Sequence, residues 1–149
     1  MKKRLVLFVL AITSVIATLA ACGHAMMTHA SGVERPAPSE FGPGPRSSAE
    51  GRYVATLDAA GPLRPRRMLT VRVALHDAQG NAVEGAQISI DGGMPEHGHG
   101  LPTRPRVKGS LGGVYEIEGV RFNMGGWWEL RLEIAGPRGA DTVTFNLDI

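Results

Sequence analysis

Hydrophobic and polar residues alternate with period two through most of the second half of the chain, the pattern of strands with one buried face. Leu69, Val71, Val73 and Leu75 point one way while Thr70, Arg72, Ala74 and His76 point the other. Ala86, Ile88 and Ile90 alternate with Gln87, Ser89 and Asp91, and Tyr115 and Ile117 with Glu116 and Glu118. Trp128, Leu130, Leu132 and Ile134 face inward against Trp127, Glu129, Arg131 and Glu133, and Val143, Phe145, Leu147 and Ile149 close the chain. Turn residues fall between these runs at Asp77 to Asn81, Gly109 to Gly113, Gly125 to Gly126 and Gly136 to Gly139. With Tyr53 to Leu57 and a weaker run at Arg104 to Lys108, about seven strands result and no segment competes as a helix. One-sided apolar strands at this spacing predict an all-β fold, an immunoglobulin-like antiparallel β-sandwich. His76 falls in the outward phase and reads as a surface histidine.

Successive strands of such a sandwich mostly reverse direction, so its loops alternate between two ends. Counting from Tyr53, the loops Asp58 to Arg67, Gly92 to Thr103 and Arg121 to Gly126 share one end, which this count sets opposite the preceding tether.

The N-terminal part has a different character. Lys2, Lys3 and Arg4 precede an apolar run from Leu5 to Leu19, a signal-peptide pattern too short and too interrupted for a membrane span. Leu19, Ala20, Ala21 and Cys22 resemble a bacterial lipobox, which predicts a signal over residues 1–21 and lipid on Cys22. Several acyl chains hold a protein to a bilayer effectively permanently. The expected location is therefore the cell envelope, lipid-anchored and facing the periplasm. Gly23 follows the cysteine where an aspartate often marks inner-membrane retention, so the resemblance points to the outer membrane. Residues 22–51, rich in Pro, Gly, Ser and Ala, read as a disordered tether, leaving 52–149 as the single folded domain. His24, Met26, Met27 and His29 follow the lipid site; they are soft donors without fixed geometry, or an ordinary polar tail.

Charge adds little. Losing Lys2, Lys3 and Arg4 with the signal takes the balance from 16 cations against 14 anions to 13 against 14. No basic stripe with interleaved aromatics appears, so no nucleic-acid partner is expected; Arg64, Arg66 and Arg67 read as a solvated loop. Cys22 is the only cysteine, so no intrachain disulfide forms and apolar burial must hold the domain.

Candidate chemistry concentrates in Gly92 to Pro105, which contains Met94, Pro95, Glu96, His97, Gly98 and His99. On an extended backbone, histidines at i and i+2 point to one side about 6.5 to 7 Å apart. A bend at Pro95 would swing the Met94 thioether toward them, and Met124 lies in a loop assigned to the same end. Imidazole with thioether is a soft donor set that favours copper, especially Cu(I), over magnesium or calcium, and methionine is not a usual zinc ligand. The competing reading has the histidines bonding to backbone groups and both methionines filling apolar gaps. No nucleophile accompanies Glu96 and His97, so no enzyme activity is expected.

The motifs MPEHGHGLPTRPRV (Met94 to Val107) and GVYEIEGVRFNMGGWWELRLEI (Gly113 to Ile134) resemble the YtkA-like and FixH-like domains, small extracytoplasmic bacterial β-sandwiches. FixH-type members are associated with copper supply to respiratory oxidases. The resemblance thus implies a ligand role for Met94, His97, His99 and Met124, and an envelope or respiratory-oxidase protein as client. Where family members carry a histidine before the second methionine, this chain has Asn123, a weaker ligand. Trp127, in the outward phase beside the proposed site, reads as a sheet-face or partner contact, with a place over a cuprous ion as the alternative. Two functions follow: a membrane-tethered protein that holds or hands over copper, or a metal-free interaction module that binds another envelope protein.

Overall fold

Strands form where the alternation is strongest, and they are longest there. The computed structural model describes residues 32–149; the signal, Cys22 and the donors His24, Met26, Met27 and His29 lie outside the described residues. Nine strands follow in chain order: β1 (Arg46–Ser47), β2 (Tyr53–Ala59), β3 (Met68–Asp77), β4 (Gln87–Met94), β5 (His99–Gly100), β6 (Arg106–Leu111), β7 (Val114–Arg121), β8 (Trp127–Gly136) and β9 (Gly139–Asp148). They make two antiparallel sheets, ordered β1-β2-β3-β7-β6 and β5-β4-β8-β9. The expected β-sandwich is therefore present. Val71, Val73 and Leu75 from one sheet and Trp128, Leu130, Leu132, Val143 and Phe145 from the other are buried between the layers in the predicted phase.

The two strands beyond the expected seven, β1 and β5, are two-residue pairings, too short for a period of two to register. The weak fourth run shifts from 104–108 to β6 at Arg106–Leu111, and the turn after it narrows to Gly112 and Gly113, both left-handed at φ 58° and 76°. His76 keeps its outward phase but is half-buried rather than open, because Ala82 folds back to bridge it. Among the described residues no helix is long and apolar enough to cross a membrane.

Register fixes which loops meet. Met68 pairs with Arg121, Gly93 with Glu129 and Trp127 with Asp148. The Arg66 N–H donates to the Phe122 carbonyl at 2.7 Å, and Gly126 and Ile149 exchange backbone bonds of 2.9 and 3.0 Å. The three loops assigned to one end by counting strands do share one tip.

The folded body begins earlier than residue 52. Phe41 bridges Asn146 in parallel, the Gly42 N–H donates to the Asn146 carbonyl at 2.8 Å, and the Leu57 N–H donates to the Pro43 carbonyl at 2.6 Å. Further on, β1 pairs with β2, and the Ala49 N–H donates to the Thr142 carbonyl at 2.9 Å. Proline makes this strap a poor helix or strand former, yet an extended proline-rich segment suits the cover of open sheet edges, here β9 and β2. Its first anchored residue, Arg35, lies 3.7 Å from Glu96 and 3.5 Å from Asp148. The chain thus joins the domain at the histidine tip and not opposite it.

At the other end the strap is pinned by Asp141. Burial works to raise its pKa, but hydrogen bonds from the Ser48 side chain and from the backbone N–H groups of Glu50, Thr142 and Arg52 outweigh burial and hold it at about 2. A carboxylate lowered on folding adds stability that is fully present above its unfolded pKa of about 3.9 and is lost as pH falls through the folded value. The gap in urea midpoint between the native chain and Asp141→Asn should therefore be constant from pH 7 to about pH 4.5 and close toward pH 2. A gap that persists unchanged at pH 2 would show that the ionised carboxylate is not what pins the strap.

Candidate metal site

β4 ends at Met94, whose carbonyl accepts from the N–H groups of His97 (3.1 Å) and Gly98 (2.8 Å), so the chain reverses over Pro95 to Gly98 and returns as β5. Gly98 is left-handed at φ 64°, as this tight reversal requires. The return is close because Gly93 has no side chain: a Cβ there would lie 2.8 Å from the His99 carbonyl oxygen, while one on Gly92 would lie 2.6 Å from that of Glu129 on β8. The expected extended i, i+2 geometry is thus replaced by a turn, since Gly98 leaves the β region.

The turn still makes the two imidazoles neighbours. Both are exposed, and their ring centroids lie 6.0 Å apart with planes inclined at 36°. Two imidazoles bound to one ion by bonds near 2 Å have centroids roughly 5 to 6.5 Å apart, so this spacing fits a shared ion. Met94 is directly opposite His99 in the β4–β5 register and so leaves the sheet on the same face. Its side chain is not swung out by Pro95, however; it is 1% exposed and belongs to the core. Its methyl Cε lies 2.9 Å from where a Cβ on Gly126 would stand, so it packs against the loop that carries Met124.

Met124 is 37% exposed on that loop. The Trp128 Nε1–H donates to its carbonyl at 3.1 Å, which fixes the backbone there. Next to it the buried Asn123 Oδ1 has no hydrogen-bond partner among the described residues, an acceptor left open beside the proposed donors. All four residues lie at one end of the sandwich, with the histidines adjacent, Met94 buried in the core at the end of β4 and Met124 on the loop after β7. Among the described residues no three His, Cys, Asp or Glu side chains come together as a metal-holding group.

Two features escaped the sequence reading. Trp127 does point away from the sandwich interior, but it is 1% exposed, because the strap lies over it. Phe41 meets it edge-on at 6.3 Å, the Arg35 guanidinium stands 4.9 Å from the Phe41 ring and 5.9 Å from the Trp127 ring, and the Trp127 Nε1–H donates to Asn146 Oδ1 at 3.0 Å. Of the two contacts expected of Trp127, the one on the sheet face is made, and residues of the same chain make it. Arg35 also joins the strap to Glu96 in the histidine turn. One signal was available: Phe41 is the lone aromatic in the proline-rich stretch, and a stretch with nothing to bury has no use for one.

No curated protein and no solved structure matches the chain. A profile of the YtkA-like family matches residues 49–133, which include Met94, His97, His99, Met124 and both tryptophans but neither the strap nor β9. With more than half of its length matched, and with the expected sandwich in place, the chain belongs to the YtkA-like family.

Proposed function

We propose that this protein is a membrane-anchored extracytoplasmic copper carrier that holds or delivers the ion at the histidine tip, serving envelope metal homeostasis or respiratory oxidase assembly. His97 and His99 are the primary ligands, Met124 the accessible thioether, and Met94 the thioether recruited from below. Lipid on Cys22 keeps the carrier at its membrane. The observation that carries this reading is the 6.0 Å spacing of two exposed imidazoles at the tip that also holds both methionines. The donors suit Cu(I), a soft ion content with few ligands. Exposure of the imidazoles suits transfer, because a partner's ligands can reach the ion before the first set lets go.

The test is Cu(I) titration of the full chain against a competing chelator. One equivalent is expected to bind, and His97→Ala with His99→Ala should weaken binding about a hundredfold, since even changes to residues behind the ligands cost 10- to 100-fold. Equal affinity in the double variant removes the proposal and leaves the rival reading, a metal-free module docking another envelope protein.

A further inference from the structure

We propose that the histidine tip is also a docking surface for anionic phospholipid headgroups, built by Arg64, Arg66, Arg67, Arg104 and Arg121 around the exposed side chain of Met68. Charge on the outer face of the β1-β2-β3-β7-β6 sheet changes along its length. On the lower rungs carboxylates stand beside the cations: Lys108 Nζ is 3.0 Å from Glu116, Arg106 Nε is 2.9 Å from Glu118, and Arg72, without an ion pair of its own, lies opposite Asp58 and Glu116 in register. The top rung has no such balance. Met68 lies directly opposite Arg121, follows Arg67, and lines one cleft together with Arg104. Among the described residues, no carboxylate lies within 4.0 Å of Arg64, Arg66, Arg67, Arg104 or Arg121. Of the acids nearby, Glu118 in the same cleft is paired with Arg106, Glu96 and Asp148 lie within 4.0 Å of Arg35, and Asp58 stands beside the loop 60–63.

Three observations favour a bilayer as the occupant. Met68 is 64% exposed among the arginines, and Met124 is 37% exposed on the neighbouring loop, so the cations are interleaved with apolar side chains as interfacial contact requires. The strap brings the chain into the domain at this same tip, through Arg35. Only nine residues lie between Cys22 and Gly32, a span of about 35 Å when fully extended, so a domain anchored there stays near its membrane. Arg66 adds a local sign: among the described residues it is the non-glycine residue with a left-handed backbone, at φ 64°, held by its N–H bond to Phe122. Backbone strain of this kind persists where the surroundings enforce it and clusters at functional surfaces. The choice of a bilayer as occupant rests on the anchoring proposed above; the uncompensated arginines beside an exposed methionine do not.

Hydrogen exchange of the full chain, reconstituted in vesicles of phosphatidylcholine alone or with one lipid in three replaced by phosphatidylglycerol, tests the proposal. Amides of residues 60–68 should exchange about tenfold more slowly in the anionic vesicles, and high salt should abolish the difference. Residues 77–82 and 136–139 at the other end should not change, which also controls for folding. Arg64→Gln with Arg66→Gln and Arg67→Gln should abolish the protection, because each basic residue favours an anionic surface about fivefold and three together about a hundredfold. Arg104→Gln, away from the strained loop, should reduce it by the single-residue amount. Equal exchange in both vesicles, or protection that survives the triple substitution, overturns the proposal; the first outcome would assign the arginines to an acidic protein instead. Flotation of the vesicles reports anchoring separately, and Cu(I) titration of the triple variant, expected unchanged, keeps this test distinct from that of the copper reading.

Discussion

Replacing Trp128 by alanine is expected to lower folding stability by about 3–5 kcal/mol, the range for removing a large aromatic side chain from a core. Trp128 is fully buried, meets Phe122 edge-on at 5.2 Å with planes at 66°, and pairs across strands with Leu147. Surrounding strands are locked by register on both sides, so the space left behind collapses only in part. Small domains have about 5–15 kcal/mol in total, so this one substitution takes a large share and should shift the urea midpoint visibly. Trp128→Phe separates shape from hydrogen bonding: it keeps most of the contact with Phe122 but removes the Nε1–H that the Met124 carbonyl accepts. That change should cost about 1–2 kcal/mol, with faster amide exchange in residues 122–126 as its local mark. A loss below about 1 kcal/mol for Trp128→Ala would mean that the residue is not at the centre of the sandwich.

Much of this sandwich was readable from residue types because a strand with one buried face writes its orientation into every second position. Leu69 to Leu75, Trp128 to Ile134 and Val143 to Ile149 all face as their alternation predicts, and counting strand reversals placed the three loops at one tip. The histidines were found by type and spacing, although the turn at Gly98, not an extended backbone, makes them neighbours. Met94 was misjudged in direction, because Pro95 reads as a bend that frees the side chain, whereas β4 continues through Met94 and turns it into the core. The strap was invisible for a more general reason. Its contacts are mostly backbone bonds of Gly42, Pro43 and Ala49 to β9 and β2, and no side-chain periodicity encodes those. The arginines of the tip likewise read as a solvated loop in sequence, because Arg121 opposite Met68 and Arg104 in the cleft beside it, about sixty and forty positions along the chain, reach them only through the fold.

The position where sequence and structure part most clearly, Trp127, also gives the second large effect. An exposed contact residue changed to alanine shifts stability by less than about 0.5 kcal/mol. A buried one loses about 3 kcal/mol, and this is the result expected for Trp127→Ala, since its ring is covered by Phe41 and Arg35 and its Nε1–H satisfies Asn146. The loss should have a location. Without the ring, Phe41 and Arg35 have no platform, so residues 35–45 should become sensitive to protease while the β3–β7 and β8–β9 pairings stay protected from exchange. Phe41→Ala should reproduce the proteolysis at lower cost, and a double-mutant cycle between the two positions should give a coupling of about 0.5–1.5 kcal/mol, the range for an edge-on aromatic pair. Additive effects would show that the two rings act independently. With the strap released, Glu96 also loses its contact with Arg35, so the histidine turn should exchange faster in Trp127→Ala than in the native chain. The strap and the histidine turn would then be a single mechanical unit, in which the edge cover of the sheets also sets the rigidity of the proposed copper ligands.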